Sequence, residues 1–255
     1  MCAPSQRRET LTTLRRFALA ALAALSLLPA LFAGTAATAA TPPPGRLIAL
    51  VLQRAAAPDA VASDAAVKAH LEALGYTVRV VDQAEPASAA DGAAAILISA
   101  SVSANKVGGA YRHSAIPVLT WECYLLPHLG MAGRRENVDF GTKERDRWLW
   151  VVNTPHPASG GLAPGLVNVQ QKNVPMGWGK PGLGASILGT LSGEDDKAAA
   201  FVYERGATMD YENIAPARRG FIFVDTAAFP DLNSDGLKIF DAMVAWVVAG
   251  GPRAQ

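Results

Sequence analysis

Cysteine is scarce in this chain, with two residues among 255, and one of them, Cys2, lies ahead of everything that reads as a folded domain. The single remaining thiol, Cys123, excludes an internal disulfide framework and any multi-cysteine zinc or iron–sulfur site. Histidine is equally thin: His70, His113, His128 and His156 are scattered without metal-ligand spacing, so no metal site is expected. An excess of one charge is also missing, the formal net charge being +1. That total hides two parts. The first 40 residues carry Arg7, Arg8, Glu9, Arg15 and Arg16, a net of +3, which leaves −2 for the other 215. A mildly acidic domain has no electrostatic footprint for nucleic acid or for an anionic membrane surface. It is long enough to bury a sizeable core without staples.

The leading segment has the layout of an export signal. Arg15 and Arg16 precede an apolar stretch from Phe17 to Ala33, and a small, Ala-rich end follows, with Ala37-Thr38-Ala39 as the cleavage-like triplet. An uncleaved membrane anchor is the competing reading, since the stretch is at the lower edge of spanning length. Two arginine pairs leave twin-arginine and general export both open. Cys2 precedes the apolar stretch, which argues against a lipoprotein anchor. The expectation is therefore a signal peptide over 1–40, a Pro-rich spacer over 41–45 and one α/β domain over 46–250. The mature chain is expected to meet the membrane only during export, in a periplasmic or extracellular protein.

From Arg46 onward short apolar runs alternate with helical periods. Strands are expected at 47–52, 77–81, 93–98 and 116–121, and later at 148–152, 199–203 and 220–224. Helices are expected at 59–74, 105–113 and 234–248, while 155–193, rich in Gly and Pro, reads as loops and short strands. Continuous apolar strands alternating with helices predict an open, mostly parallel sheet covered on both faces. In such sheets ligands sit at the carboxyl ends of the strands.

The motifs at those ends resemble the class I glutamine amidotransferase-like superfamily, including its trehalose-utilisation (ThuA-like) branch. Pro117-Val118-Leu119-Thr120-Trp121-Glu122 resembles the "PVLGIC" strand that carries the family's cysteine nucleophile on a tight elbow. Pro155-His156-Pro157 through Gly161-Leu162 resembles a ThuA-like "HP…GL" turn, and Tyr203-Glu204-Arg205-Gly206 a hairpin before the last strand. That strand, Gly220 to Thr226, stands where amidotransferases carry "G-x-Q-F-H-P-E". The resemblance implies a flavodoxin-like fold, yet this chain places Glu122 at the nucleophile position, with Cys123 one residue late. Val224 stands at the His position and Thr226 at the Glu position. Glutamine hydrolysis needs a thiolate, a His to take its proton and a carboxylate to orient that His, so the resemblance carries the fold without that chemistry.

Glu122, at the end of an apolar strand, is the leading candidate for an acid/base or ligand-anchoring group, with capping of the following helix as its structural alternative. Asp225 ends another strand and is its candidate partner. Ser99 and Ser101, and Ser103 beyond them, follow the third strand without a G-x-S-x-G elbow. Trp121 and Trp178 are candidate stacking faces for a sugar, or else core residues. His156 either contacts a ligand or braces its loop. Asp231 to Gly236 matches half of a calcium loop but lacks the closing Glu, so Asn233 or Ser234 is expected to cap the last helix. Gly177 to Gly182 spells G-x-G-x-x-G outside any βαβ context, so no dinucleotide or other cofactor is expected. The leading functional expectation is binding of a small polar ligand, with carbohydrate the favoured class. The alternatives are a carbohydrate-active enzyme using Glu122, with or without Asp225, and an interaction module whose crevice is filled by its own side chains.

Overall fold

The apolar runs at the start of the domain become parallel strands because both their faces are covered. The computed structural model describes residues 46–251; the leader and spacer read from the sequence lie outside the described residues. Strands β1 (Leu47–Leu52), β2 (Thr77–Asp82), β3 (Ala95–Ile98) and β4 (Val118–Thr120) lie side by side in the order β2-β1-β3-β4. Leu50 stands opposite Val80 on one side and Leu97 on the other, all parallel. Beyond β4 the chain forms β5 (Phe140–Asp146), β6 (Trp148–Val151), β7 (Gly165–Asn168), β8 (Val174–Gly179), β9 (Ser186–Leu191), β10 (Glu194–Tyr203) and β11 (Arg219–Ile222). β11 returns to lie parallel beside β4, and from it the sheet continues antiparallel through β10, β9, β6 and β7, with β5 and β8 paired to each other and β8 touching β10.

The sheet is thus α/β, as expected, but mixed, with an antiparallel half that the sequence reading underweighted. The cause lies in the residue pattern. In β6, Leu149 and Val151 are buried while Trp150 is 49% exposed. Such alternation belongs to an antiparallel strand with one wet face.

Helix α1 (Pro58–Ala73) starts with proline at its first turn, where no N–H is needed, and packs Val67 and Leu71 on one face of the sheet. The same face receives α4 (Ser234–Ala249), which buries Ile239, Phe240, Met243, Val244 and Val247. The Asn233 side chain accepts from the N–H groups of Asp235 and Gly236, both at 3.0 Å. That is the cap expected of the Asp231 to Gly236 string. The opposite face is covered by α2 (Ala104–Val107), a 3₁₀ turn at Cys123–Leu125 and α3 (Leu126–Leu129), which bury Val107, Leu125, Leu126 and Leu129. The helix expected over 105–113 is only this single turn, because Gly108 at φ +50° ends it. Among the described residues no helix is long and apolar enough to cross a membrane.

Candidate functional site

A cavity of about 790 Å³ opens beyond the carboxyl ends of β3 and β4. One wall comes from the segment after β3, with Ser103, Asn105 and Arg112. The other comes from the segment after β4, with Glu122, Tyr124 and His128, and Arg134 and Glu136 close the rim. The neighbouring crevice at the β1/β3 reversal of strand order is occupied by the protein's own polar groups. There the Ser99 hydroxyl donates to Asp64 Oδ1 at 2.5 Å, the Ser101 N–H donates to Ser99 Oγ, and the Gln53 N–H donates to Ser101 Oγ. Burial raises the pKa of Asp64, and its other carboxyl oxygen has no partner. The open space therefore sits one strand further along, between β3 and β4.

Glu122 is 8% exposed and is the buried acid of that cavity wall. Its backbone is extended, at φ −88° and ψ 104°, and its carboxylate accepts the Tyr124 N–H at 2.8 Å, capping the 3₁₀ turn. Thr120 Oγ1 holds its own N–H at 3.1 Å. Burial pushes the carboxyl up from 4.5 to about 8, and repulsion from Asp225 adds to this against the single favourable bond from Tyr124. At neutral pH it is chiefly the protonated acid, able to donate a hydrogen bond as well as accept one.

Cys123 beside it is buried, and burial with the negative charge of Glu122 drives its thiol up to about 12. Its polar neighbour is Thr142 Oγ1 at 3.5 Å. This is the opposite of an activated thiolate. Asp225 follows β11, is partly buried with a raised pKa, and accepts the Thr226 N–H at 2.7 Å. It is close enough to act electrostatically on both Glu122 and Cys123 but is not part of the cavity wall.

The other sequence candidates are not brought to this cavity. Trp121 is buried and meets Phe240 of α4 edge to face, with ring centroids 5.8 Å apart. Trp178, on β8, is buried beneath Lys197, whose ammonium lies 4.7 Å from the ring centroid. Neither offers a ring face to the cavity. Ser99 and Ser101 are sealed in the Asp64 cluster, and Ser103 alone of the three reaches the wall. His156 accepts the Ala158 N–H through Nδ1 at 3.1 Å and packs its ring on Trp246 of α4, bracing its turn away from the cavity. Burial lowers its pKa.

The glycines of the Gly177 to Gly182 string are explained by packing. A Cβ at Gly177 would come within 3.1 Å of the Phe221 ring, and one at Gly179 within 2.6 Å of Leu126.

Sequence reasoning missed Asn105, Arg112, Tyr124, His128, Arg134 and Glu136. Arg112 is the best fixed of them. Its guanidinium donates to Asn213 Oδ1 at 2.6 Å, and the loop that bears it is held from below by Arg219, which is fully buried. Arg219 donates to the carbonyls of Ser114 at 2.6 Å, Arg218 at 3.0 Å, Ile116 at 3.3 Å and Arg112 at 3.4 Å. Among the described residues no cluster of three or more His, Cys, Asp or Glu has the geometry to hold a metal.

A doubly covered sheet whose parallel half runs β2-β1-β3-β4-β11, with an open cavity beyond its carboxyl ends, defines the flavodoxin-like, class I glutamine amidotransferase-like fold class. Two solved structures show that likeness in particular. A ThuA-like protein from Bacteroides uniformis aligns with a TM-score of 0.54 and 10% identity, over 82% of this chain and 93% of that one. A protein described as a GMP synthase subunit, from Thermoplasma acidophilum, aligns with a TM-score of 0.50 and 14% identity, over 80% of this chain and 94% of that one. At these identities the likeness is one of fold. No family model matches the chain, and no curated protein matches it.

Proposed function

We propose that this is an exported α/β protein whose cavity beyond β3 and β4 binds a small polar ligand, carbohydrate being the favoured class, without amidotransferase chemistry. The observation that carries the reading is the cavity itself. About 790 Å³ is room for a ligand of drug or disaccharide size, and its wall is set with hydrogen-bonding groups of both kinds: Ser103, Asn105, Glu122, Tyr124 and His128. A protonated, buried Glu122 suits a hydroxyl-rich ligand, because it donates and accepts at one place. The high thiol pKa of Cys123 argues against covalent catalysis there. Export rests on the cationic, apolar and Ala-rich layout of residues 1–40.

An acid/base enzyme built on Glu122 and Asp225 would need both carboxyls on one cavity, and Asp225 is absent from this wall. An interaction module with a self-filled crevice is disfavoured by the open volume. The test is a thermal-shift screen of neutral sugars, sugar acids, sugar phosphates and amides, with turnover followed in parallel. A ligand-dependent rise in Tm that is reduced by Glu122→Leu, which removes the polar group, and by a cavity-filling Gly109→Phe supports the reading. Turnover of any panel member that Glu122→Gln abolishes would replace binding by catalysis.

A further inference from the structure

The cavity does not end at Arg112 and Arg134. A second compartment of about 500 Å³ adjoins it and shares Arg112, Pro127 and Arg134 as a common wall, adding Gly130, Arg135, Asp139, Asp210, Tyr211 and Asn213. The charges along this wall are unequally satisfied. Arg135 is spoken for, since its guanidinium grips Asp139 through two bonds, at 2.9 and 3.1 Å. Arg112 is held by a neutral amide, Asn213, and so keeps its full charge while losing its freedom to move. Arg134 is exposed and makes no side-chain hydrogen bond or ion pair among the described residues. Two acids stand near them: Glu136 on the rim, whose carboxylate accepts the Tyr124 hydroxyl at 3.3 Å, and Asp210, whose charge both arginines favour at a distance; neither forms a salt bridge within 4.0 Å with Arg112 or Arg134 among the described residues.

We propose that the junction of the two compartments is an anion seat. In this assignment Arg112 and Arg134 together receive the carboxylate or phosphate of a sugar-like ligand whose hydroxyl-bearing part lies in the first compartment against Glu122. This deepens the ligand-binding reading and rests on it.

Three features make the seat a built one. The Arg112 side chain is fixed by Asn213 and its backbone by the buried Arg219, so little ordering is left for the ligand to impose. Gly130, at φ +70°, leaves the space that the pair occupies, since a Cβ there would lie 3.1 Å from the Asn213 amide nitrogen and 3.2 Å from Arg112. Tyr211, held at φ 45° and 82% exposed, stands at the mouth of the second compartment. A guanidinium presents parallel N–H groups that match the two oxygens of a carboxylate or phosphate, which explains two arginines where lysines would supply charge alone.

The experiment is titration calorimetry on the full chain with matched probes from the glucose, galactose and mannose series: the neutral sugar, its uronate and its 6-phosphate. At least one anionic member should bind tenfold or more tightly than its neutral parent. Arg112→Gln and Arg134→Gln should each weaken the anionic probe more than its neutral parent and so erase that preference, and raised salt should weaken only the anionic probes. The uronate and phosphate arms distinguish the two sources of the anion. Equal binding of neutral and charged members, or an unchanged preference in both arginine variants, would overturn the seat and leave the cavity reading standing. Absence of binding by every probe, with Gly109→Phe indistinguishable from the wild type, would remove both.

Discussion

Replacing Glu122 by Gln isolates the energetic consequence of a buried acid. In the folded chain this carboxyl ionises at about 8, against an ordinary value of 4.5. Between those limits the folded state keeps a proton that the unfolded state has released. The contribution of this group to stability therefore falls as pH rises through the window, by about 1.4 kcal/mol per pH unit, and levels off above the folded value. The amide keeps the size of the side chain and an oxygen for the Tyr124 N–H, so the cap survives while the ionisation disappears. The variant should match the wild type near pH 4 and gain on it steadily from pH 5. By pH 8 it should be more stable by roughly 4 kcal/mol. Urea denaturation of both proteins at pH 4, 5, 6, 7, 8 and 9 reads this directly. Asp64 and Asp225, whose carboxyls are also raised, are present in both chains and enter the difference only through the repulsion between Asp225 and Glu122. A difference that stays flat across the series, or a variant less stable than the wild type at pH 8, would refute the burial argument.

Two further outcomes follow from the same packing. In a Cys2→Ser background, Cys123 should resist a disulfide reagent at pH 8, because a thiol at about 12 supplies a thiolate fraction on the order of 10⁻⁴. Labelling should become complete within the dead time in denaturant, and rapid stoichiometric labelling of the native chain would show the thiol to be accessible and activated. Arg219→Met should destabilise the fold by roughly 2–4 kcal/mol in urea melts, because the carbonyls of Ser114, Ile116 and Arg112 lose their donor. Lys at 219 should rescue little, since one ammonium cannot span what the planar fork reaches; a Met variant within about 0.5 kcal/mol of the wild type would count against the role.

The parallel half of the sheet was legible because β1, β3 and β4 are short continuous apolar runs and β2 alternates β-branched residues, and α1 and α4 because Gly75 and Asn233 punctuate them. The antiparallel half was less so. β5 reads Phe-Gly-Thr-Lys-Glu-Arg-Asp, and its strand character comes from pairing with β8, a contact no local pattern announces. At the site, Glu122 could be found because a strand motif delivers it. Arg112 and Arg134 could not, since they sit on separate loops and meet only through the fold. The tryptophans teach a different lesson. Trp121 and Glu122 are consecutive residues in extended backbone, and consecutive side chains point to opposite faces. Once Glu122 faces the cavity on the α2 and α3 side, Trp121 is committed to the α4 side, where it meets Phe240. That exclusion was available from the sequence.

The backbone at the end of β4 explains why this position suits a carboxyl better than a nucleophile. A nucleophile elbow holds its residue in a strained turn, with small neighbours making room. Glu122 instead has ordinary extended dihedrals, and the residues on either side, Trp121 and Cys123, are both packed into the interior. Nothing there lifts a short side chain clear of the sheet. A longer side chain reaches the cavity without strain, and its cap bond to Tyr124 fixes where it points. The same burial that disables Cys123 as a thiolate keeps Glu122 protonated at neutral pH. One environment therefore holds the thiol neutral and leaves a fixed hydrogen-bond donor beside it at this strand end. Under the proposed reading, that arrangement lets the cavity hold a polar ligand without covalent reaction.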